Sequence, residues 1–272
     1  MNKKFFRKLC TCMCSILLVL CSFAVVLPIQ EVSAASDTYS VYVEGECNYD
    51  YANEVLERLN QVRKKAGKAP LIMNEELLKA AMRRAAEIAI DFNHVRPNKK
   101  QCFSVSDLVY GENIAMGQKN PKAVMDTWEK SSGHYKNMVR AEYKSVGIGV
   151  FYAGGKYYWV QCFGKTDKDE VQKEGTKTKT YNVKVKGALD FRVSSSKSLK
   201  AGKSWTPKIT VINRSYSSFS VQILPKSLTY KSQNKKLAKV NSAGEITAKK
   251  KGTVKITCKL GTKKKTIKVK VK

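Results

Sequence analysis

The chain has 272 residues, a length that suits one large domain or two ordinary ones, and its 51 Lys and Arg against 22 Asp and Glu give a formal net charge of +29. Beyond the N-terminal stretch no run is long and apolar enough to cross a bilayer. None of the 8 cysteines stands in a CxxC spacing, which argues against a zinc–thiolate cluster. In chain order, residues 1–34 read as a cleavable signal peptide. Lys3, Lys4, Arg7 and Lys8 precede an apolar run at 13–28, and Val32, Ser33 and Ala34 offer small residues for cleavage after Ala34. A membrane anchor and lipid attachment at Cys21 fit less well, because the run is short and Leu20 stands where a small residue is wanted. Cleavage leaves Cys47, Cys102, Cys162 and Cys258 in a compartment where disulfides persist. Three of them fall in the first domain, so at most one bridge forms within it, and the pairing stays open.

Residues 35–46 are expected as an extended leader. A helix is predicted from Asp50, as its cap, to Lys65, with Val55, Leu56, Leu59 and Val62 at helical spacing. Gly67-Lys68-Ala69-Pro70 breaks it. The second helix runs from Asn74 to about Asn93 with a broad apolar face including Leu77, Ala81, Ala85 and Ile88, and so is well buried. Residues 95–109 read as a loop. Asn120 followed by Pro121 starts a third helix, and Ser131 or Ser132 caps a shorter one over 133–140. Two strands, 145–152 and 156–164, flank the turn Ala153-Gly154-Gly155. Tyr158, Trp159 and Phe163 on the second strand are core or cleft wall. The charged stretch 165–179 is read as an interdomain linker, and from Thr180 the pattern turns to period 2, as in Tyr181–Lys186 and Thr266–Val271, which predicts a β-sandwich over 180–272.

Charge divides unevenly between the two parts. Residues 41–165 hold 19 Lys and Arg against 14 Asp and Glu, or +5, whereas residues 166–272 hold 28 against 6, or +22. A field of that size attracts polyanions; for an exported chain these are anionic cell-wall polymers, surface glycans and anionic lipid head groups. Nucleic acid is discounted, since the chain is exported and its basic part is lysine without an arginine–aromatic pattern. Alternatively, the lysines only solvate sheet surfaces and block edge pairing.

The two histidines, His94 and His134, sit in distinctive strings: Phe92-Asn93-His94-Val95-Arg96-Pro97 and Trp128-Glu129-Lys130-Ser131-Ser132-Gly133-His134-Tyr135-Lys136-Asn137, with Tyr110-Gly111-Glu112-Asn113-Ile114-Ala115 between them. With Val146-Gly147-Ile148-Gly149 and Tyr157–Gly164, this order resembles the bacterial branch of the CAP superfamily (cysteine-rich secretory protein, antigen 5, pathogenesis-related; the SCP domain) over residues 47–164. The resemblance implies an α+β fold, an α-β-α sandwich with a central cleft lined by His94, Glu112 and His134, and a divalent metal, often zinc, between His94 and His134. Where the family often carries a second glutamate, three residues after the tryptophan, this chain has Ser131. Glu129 would point about 160° away on a helix, which puts inherited hydrolytic activity in doubt. On chemistry alone, two imidazoles and a carboxylate with water make an adequate zinc site; Glu112 could instead accept a hydrogen bond from a ligating imidazole, or the histidines could only brace the cleft. Asn113 is read as holding its loop, and Ser132 as helix capping, not a nucleophile. In the C-terminal part, Thr229–Asn234, Leu237–Val240, Gly244–Ala248 and Gly252–Thr257 resemble the bacterial Ig-like fold of group 2, which implies a spacer or binding module without catalysis and leaves Cys258 as a buried free thiol.

Three functions are compatible with these readings. The first is a secreted envelope protein whose cleft binds a divalent metal and a small or lipidic ligand while the basic domain attaches to wall or surface. The second is a metal-dependent hydrolase, a peptidase or esterase, with His94 and His134 on zinc and Glu112 as candidate catalytic base. The third is a surface adhesin.

Overall fold

A computed structural model describes residues 38–272, so the expected signal peptide at 1–34 lies outside the described residues. The chain opens on strand β1 (Thr38–Asn48), in which Val41, Val43 and Cys47 are buried. Helix α1 (Tyr49–Lys65) follows, capped by Asn48, whose side chain accepts from the Tyr51 N–H; Asp50, expected as the cap, lies in the first turn, where its charge suits the helix N-terminus. After the short strand β2 (Ile72–Met73), helix α2 (Glu75–Ile90) begins at its expected cap, Asn74, and ends three residues before Asn93. Strand β3 (Gly111–Met116) occupies the GEN segment; α3 (Pro121–Glu129) is capped by Asn120, and α4 (Ser132–Met138) follows Ser131. Strands β4 (Ser145–Ala153) and β5 (Lys156–Gly164) form the expected hairpin. Strand β6 (Thr176–Lys186) then pairs antiparallel with the whole of β1, from Thr38↔Lys186 to Asn48↔Thr176.

The resulting sheet has the order β3-β5-β4-β1-β6, with β2 beside β4. Helix α2 covers one face, and its approach requires glycine. A Cβ at Gly147 would lie 2.0 Å from the Leu77 carbonyl, and one at Gly149 2.1 Å from that of Ala81. The opposite face carries α1, α3 and α4, which pack on one another. Tyr158, Trp159 and Phe163 are fully buried between these layers and so belong to the core.

Two segments differ from their sequence reading. The leader is β1, a central strand of this sheet, and Tyr181–Lys186, read as the opening of the second domain, lies in β6 on the first domain's sheet. The stretch read as a linker is also held in place: Val171 N–H donates to the Met73 carbonyl (2.9 Å), Asn74 donates to the Lys168 carbonyl (2.8 Å), and Gly175 N–H donates to Asp50 (2.7 Å).

Beyond residue 186 the chain is all β. Its strands are β7 (Phe191–Arg192), β8 (Ser196–Leu199), β9 (Ser204–Trp205), β10 (Ile209–Ile212), β11 (Ser220–Ile223), β12 (Thr229–Ser232), β13 (Ala238–Val240), β14 (Ile246–Ala248), β15 (Gly252–Leu260) and β16 (Lys263–Val271). They form the sheets β11-β10-β7, β12-β15-β16-β8 and β13-β14-β9. Alternation sets the core: Val254, Ile256, Cys258 and Leu260 of β15 are buried with Ile267, Val269 and Val271 of β16, while the intervening lysines face water. The register sets Lys255 opposite Lys268 and Lys259 opposite Lys264. All four described cysteines are buried free thiols.

The all-β part packs directly on the first domain. Asn213 is buried and donates from Nδ2 to the Ile88 and Ala89 carbonyls at 3.0 and 3.1 Å, satisfying acceptors at the end of α2. Arg214 pairs with Asp91 at 2.9 Å, and Ser215 Oγ donates to the same carboxylate at 2.7 Å. On β1, Tyr42 accepts from Leu224 N–H and donates its own N–H to Ser227 Oγ.

Candidate functional site

Strand β3 is an edge of its sheet, so the layers on both sides can reach past it. Residues directly opposite in adjacent strands share a face; Glu112 pairs with Cys162 and Cys162 with Gly147, which puts the Glu112 side chain under α2. There it meets Arg84 of α2. Arg84 donates Nε to Glu112 Oε2 (2.7 Å) and Nη2 to Oε1 (3.2 Å), Nη1 to Glu87 (2.8 Å), and Nη2 also to the Asn93 carbonyl (2.8 Å). Arg96 closes the set on Glu87 at 2.6 Å. Two guanidinium groups thus balance two carboxylates, as burial demands. Burial alone would raise the Glu112 carboxyl; the hydrogen bond from His94 and the charge and hydrogen bonds of Arg84 outweigh it and hold the group below its usual value.

His94 follows α2 and is held from two directions. Arg84 fixes the carbonyl of the preceding residue, and His94 Nδ1 lies 2.8 Å from Glu112 Oε1. Since that carboxylate is ionised, Nδ1 carries the proton and donates, which leaves Nε2 as the imidazole's free acceptor. The ring is half exposed, whereas the Glu112 side chain beneath it is 1% exposed. His134 comes from the opposite layer, on α4. Asn113 of β3 donates from Nδ2 to the His134 carbonyl (3.1 Å) and to Gln161 (3.0 Å), and accepts from Asn137 at 2.9 Å. Asn113 therefore ties β3 to the helix bearing His134. Burial, and secondarily the charge of His94, pushes the His134 pKa below its usual value, and its Nδ1 is buried without a hydrogen-bond partner among the described residues.

Both imidazoles line one cavity of 590 Å³, floored by Ile114, Ala115 and Met116 of β3 and by Trp128. Glu112 does not: every carboxylate oxygen is engaged and the side chain lies behind His94. Of the two sequence readings, a cleft-lining candidate base or an acceptor for a ligating imidazole, its oxygens make the second arrangement. Ser131 and Glu129 are absent from the lining as well, and Glu129 is exposed.

Several residues at the site were missed from sequence. Arg84 had a signal, being a charge at helical spacing from Leu77, Ala81 and Ile88 on the buried face of α2. Cys102 had none in the patternless loop; its Sγ lies with ligand atoms of His94 and Glu112 within a span of 4.8 Å. Burial and the neighbouring Glu112 raise that thiol to about 11, so it stays protonated. Tyr216 and Phe219, which also line the cavity, come from the all-β part.

Residues 56–163 match the family model of the cysteine-rich secretory protein family (CAP), and residues 191–271 that of the bacterial Ig-like domain, group 2. An uncharacterized protein of Bacillus subtilis, YkwD, is 33% identical over 121 residues, covering 42% of this chain and 46% of its own; the chain thus spans less than half of that relative's length. Among solved structures, an SCP-domain extracellular protein from Bacillus anthracis aligns at 19% identity over 44% of this chain and 41% of its own, with a TM-score of 0.41. A cysteine-rich secretory protein from Staphylococcus aureus aligns at 19% identity over 44% and 40%, with a TM-score of 0.35. The first matched segment holds β3 and the helices around it and the second the lysine-faced sheets beyond residue 186, and the chain accordingly carries a CAP-type domain matched over residues 56–163 and a bacterial Ig-like domain of group 2 matched over residues 191–271.

Proposed function

We propose that this is an extracellular CAP protein whose cleft holds a divalent cation, zinc being the best suited, between His94 and His134, together with a small amphipathic ligand. The observation that carries this reading is the pair of imidazoles entering one open cavity from opposite layers of the fold. Their chemistry fits a cation. His94 has its proton fixed on Nδ1 by a buried carboxylate, the usual support behind a ligating imidazole, and His134 is biased toward the neutral form that binds metal. A bound ion would supply Lewis acidity or a bridge to an anionic group. The chain's own contribution is placement: Arg84 and Glu112 orient His94, and Asn113 anchors the backbone of His134.

A hydrolase reading is weaker, because Glu112 is committed to Arg84 and His94 and cannot take a proton from a water in the cavity. Purified protein is expected to bind about one zinc per chain by elemental analysis, and His94→Ala with His134→Ala to lose it; equal metal in both proteins would remove the site. The basic domain suits retention on anionic wall polymers through long-range attraction. Full-length protein with Lys263, Lys264 and Lys265 changed to Glu is expected to sediment less with isolated walls, and wild-type binding to fall as salt rises. Salt-independent binding would contradict retention by charge.

A further inference from the structure

The Ig-like domain does more than sit beside the CAP domain. The segment between β10 and β11 docks on the end of α2 through Asn213, Arg214 and Ser215, and the next residues, Tyr216 and Phe219, reach the cavity that holds His94 and His134. Tyr216 packs edge-on to Phe92 of the CAP domain, ring centroids 5.6 Å apart, and lies 6.1 Å from Phe219. The Lys156 ammonium, from the first residue of β5, sits 4.9 Å from the Phe219 ring centre. Nearly half of Tyr216 is still open to water, although its backbone is held by Asn213 Oδ1. An aromatic ring fixed at its base and bare on its face presents apolar area without further ordering cost.

Elsewhere the cavity is polar in a specific way. Gln118 Oε1 and His134 Nδ1 are buried and have no partner among the described residues. Buried polar atoms are almost always satisfied, so an occupant that donates a hydrogen to Gln118 Oε1 would remove a standing cost.

We infer that Tyr216 and Phe219 of the Ig-like domain form one wall of the CAP cleft and select its ligand, an amphiphile whose apolar chain packs on the Phe92–Tyr216–Phe219 cluster and whose hydroxyl-bearing head donates to Gln118. The inference rests on the cleft reading above but is separable from it. In this arrangement the second domain is a specificity element, and the site exists only when both domains are in place.

The test is calorimetric titration of full-length protein with 1-dodecanoylglycerol below its aggregation concentration, with zinc content measured in parallel. Wild type is expected to bind, and Tyr216→Ser with Phe219→Ser to bind at least about tenfold more weakly with unchanged zinc content. Tyr110→Ser, at another exposed tyrosine outside the cavity, is expected to bind as wild type does. Equal affinity in wild type and the Tyr216/Phe219 variant would overturn the inference and leave the cleft reading standing. No binding by wild type would overturn it too, with zinc content reporting separately on the metal. Loss of zinc along with the glyceride in the aromatic variant would also count against it, as collapse of the cleft.

Discussion

Arg84 makes four charge-assisted hydrogen bonds from a fully buried position, and the histidine it supports is half exposed. Replacing it by Met would leave Glu112 and Glu87 without their shared partner, and stripping one member from a buried ionic group typically costs about 3–5 kcal/mol. Arg84→Met is expected to lose about that much in urea denaturation; a loss under 1 kcal/mol would mean that the network relaxes. The folded Glu112 carboxyl titrates below its ordinary value of 4.5. Its contribution is therefore complete above the unfolded value and disappears as pH falls through the lower folded one. Glu112→Gln is expected to flatten acid unfolding in that window and leave the neutral-to-alkaline limb unchanged. At this scale the two histidines and Glu112 were legible from their strings. The side on which Glu112 lies was not, because strand facing depends on the pairing of β3 with β5, which no local pattern around residue 112 encodes.

Helix α2 lies so close to β4 that two glycines replace side chains at the contact. Gly149→Ala would drive a methyl into the Ala81 carbonyl, and Gly147→Ala one into that of Leu77. Since backbone has to move, each is expected to cost about 3 kcal/mol, the upper part of the usual overpacking range, and to lower the unfolding midpoint; a neutral effect would show that α2 can slide outward. The helices were readable from caps and apolar spacing, Asn74 and Asn120 most directly, since each supplies a side-chain acceptor to the first turn. The β1–β6 ladder was not. Its two strands lie some 140 residues apart in sequence, and the alternation of Tyr181–Lys186 with lysine is as suitable for an edge strand of one domain as for the first strand of the next.

Across the whole molecule, the contacts made by Asn213, Arg214, Tyr42 and Tyr216 tie the domains through buried polar groups as well as apolar ones. Asn213 serves two helix-end carbonyls that would otherwise be buried unpaired. Full-length protein is expected to unfold in a single calorimetric transition, and Asn213→Leu to split it in two; two transitions in the wild type would show that the interface adds little. This docking was invisible to a reading in which residues 165–179 were a charged spacer, because composition reports exposure and these residues meet it while their backbone is hydrogen-bonded to the CAP domain.

The ladder of β15 with β16 has a last consequence. Lys255 faces Lys268 and Lys259 faces Lys264 across one ribbon, and like charges directly opposite oppose pairing. The Ig-like domain thus folds against its own electrostatic pressure, held shut by the apolar side of the same ribbon. Counterions relieve that pressure: its melting point should climb with ionic strength at low salt, and a bound polyanion should act as a clasp that tightens the very sheet it coats.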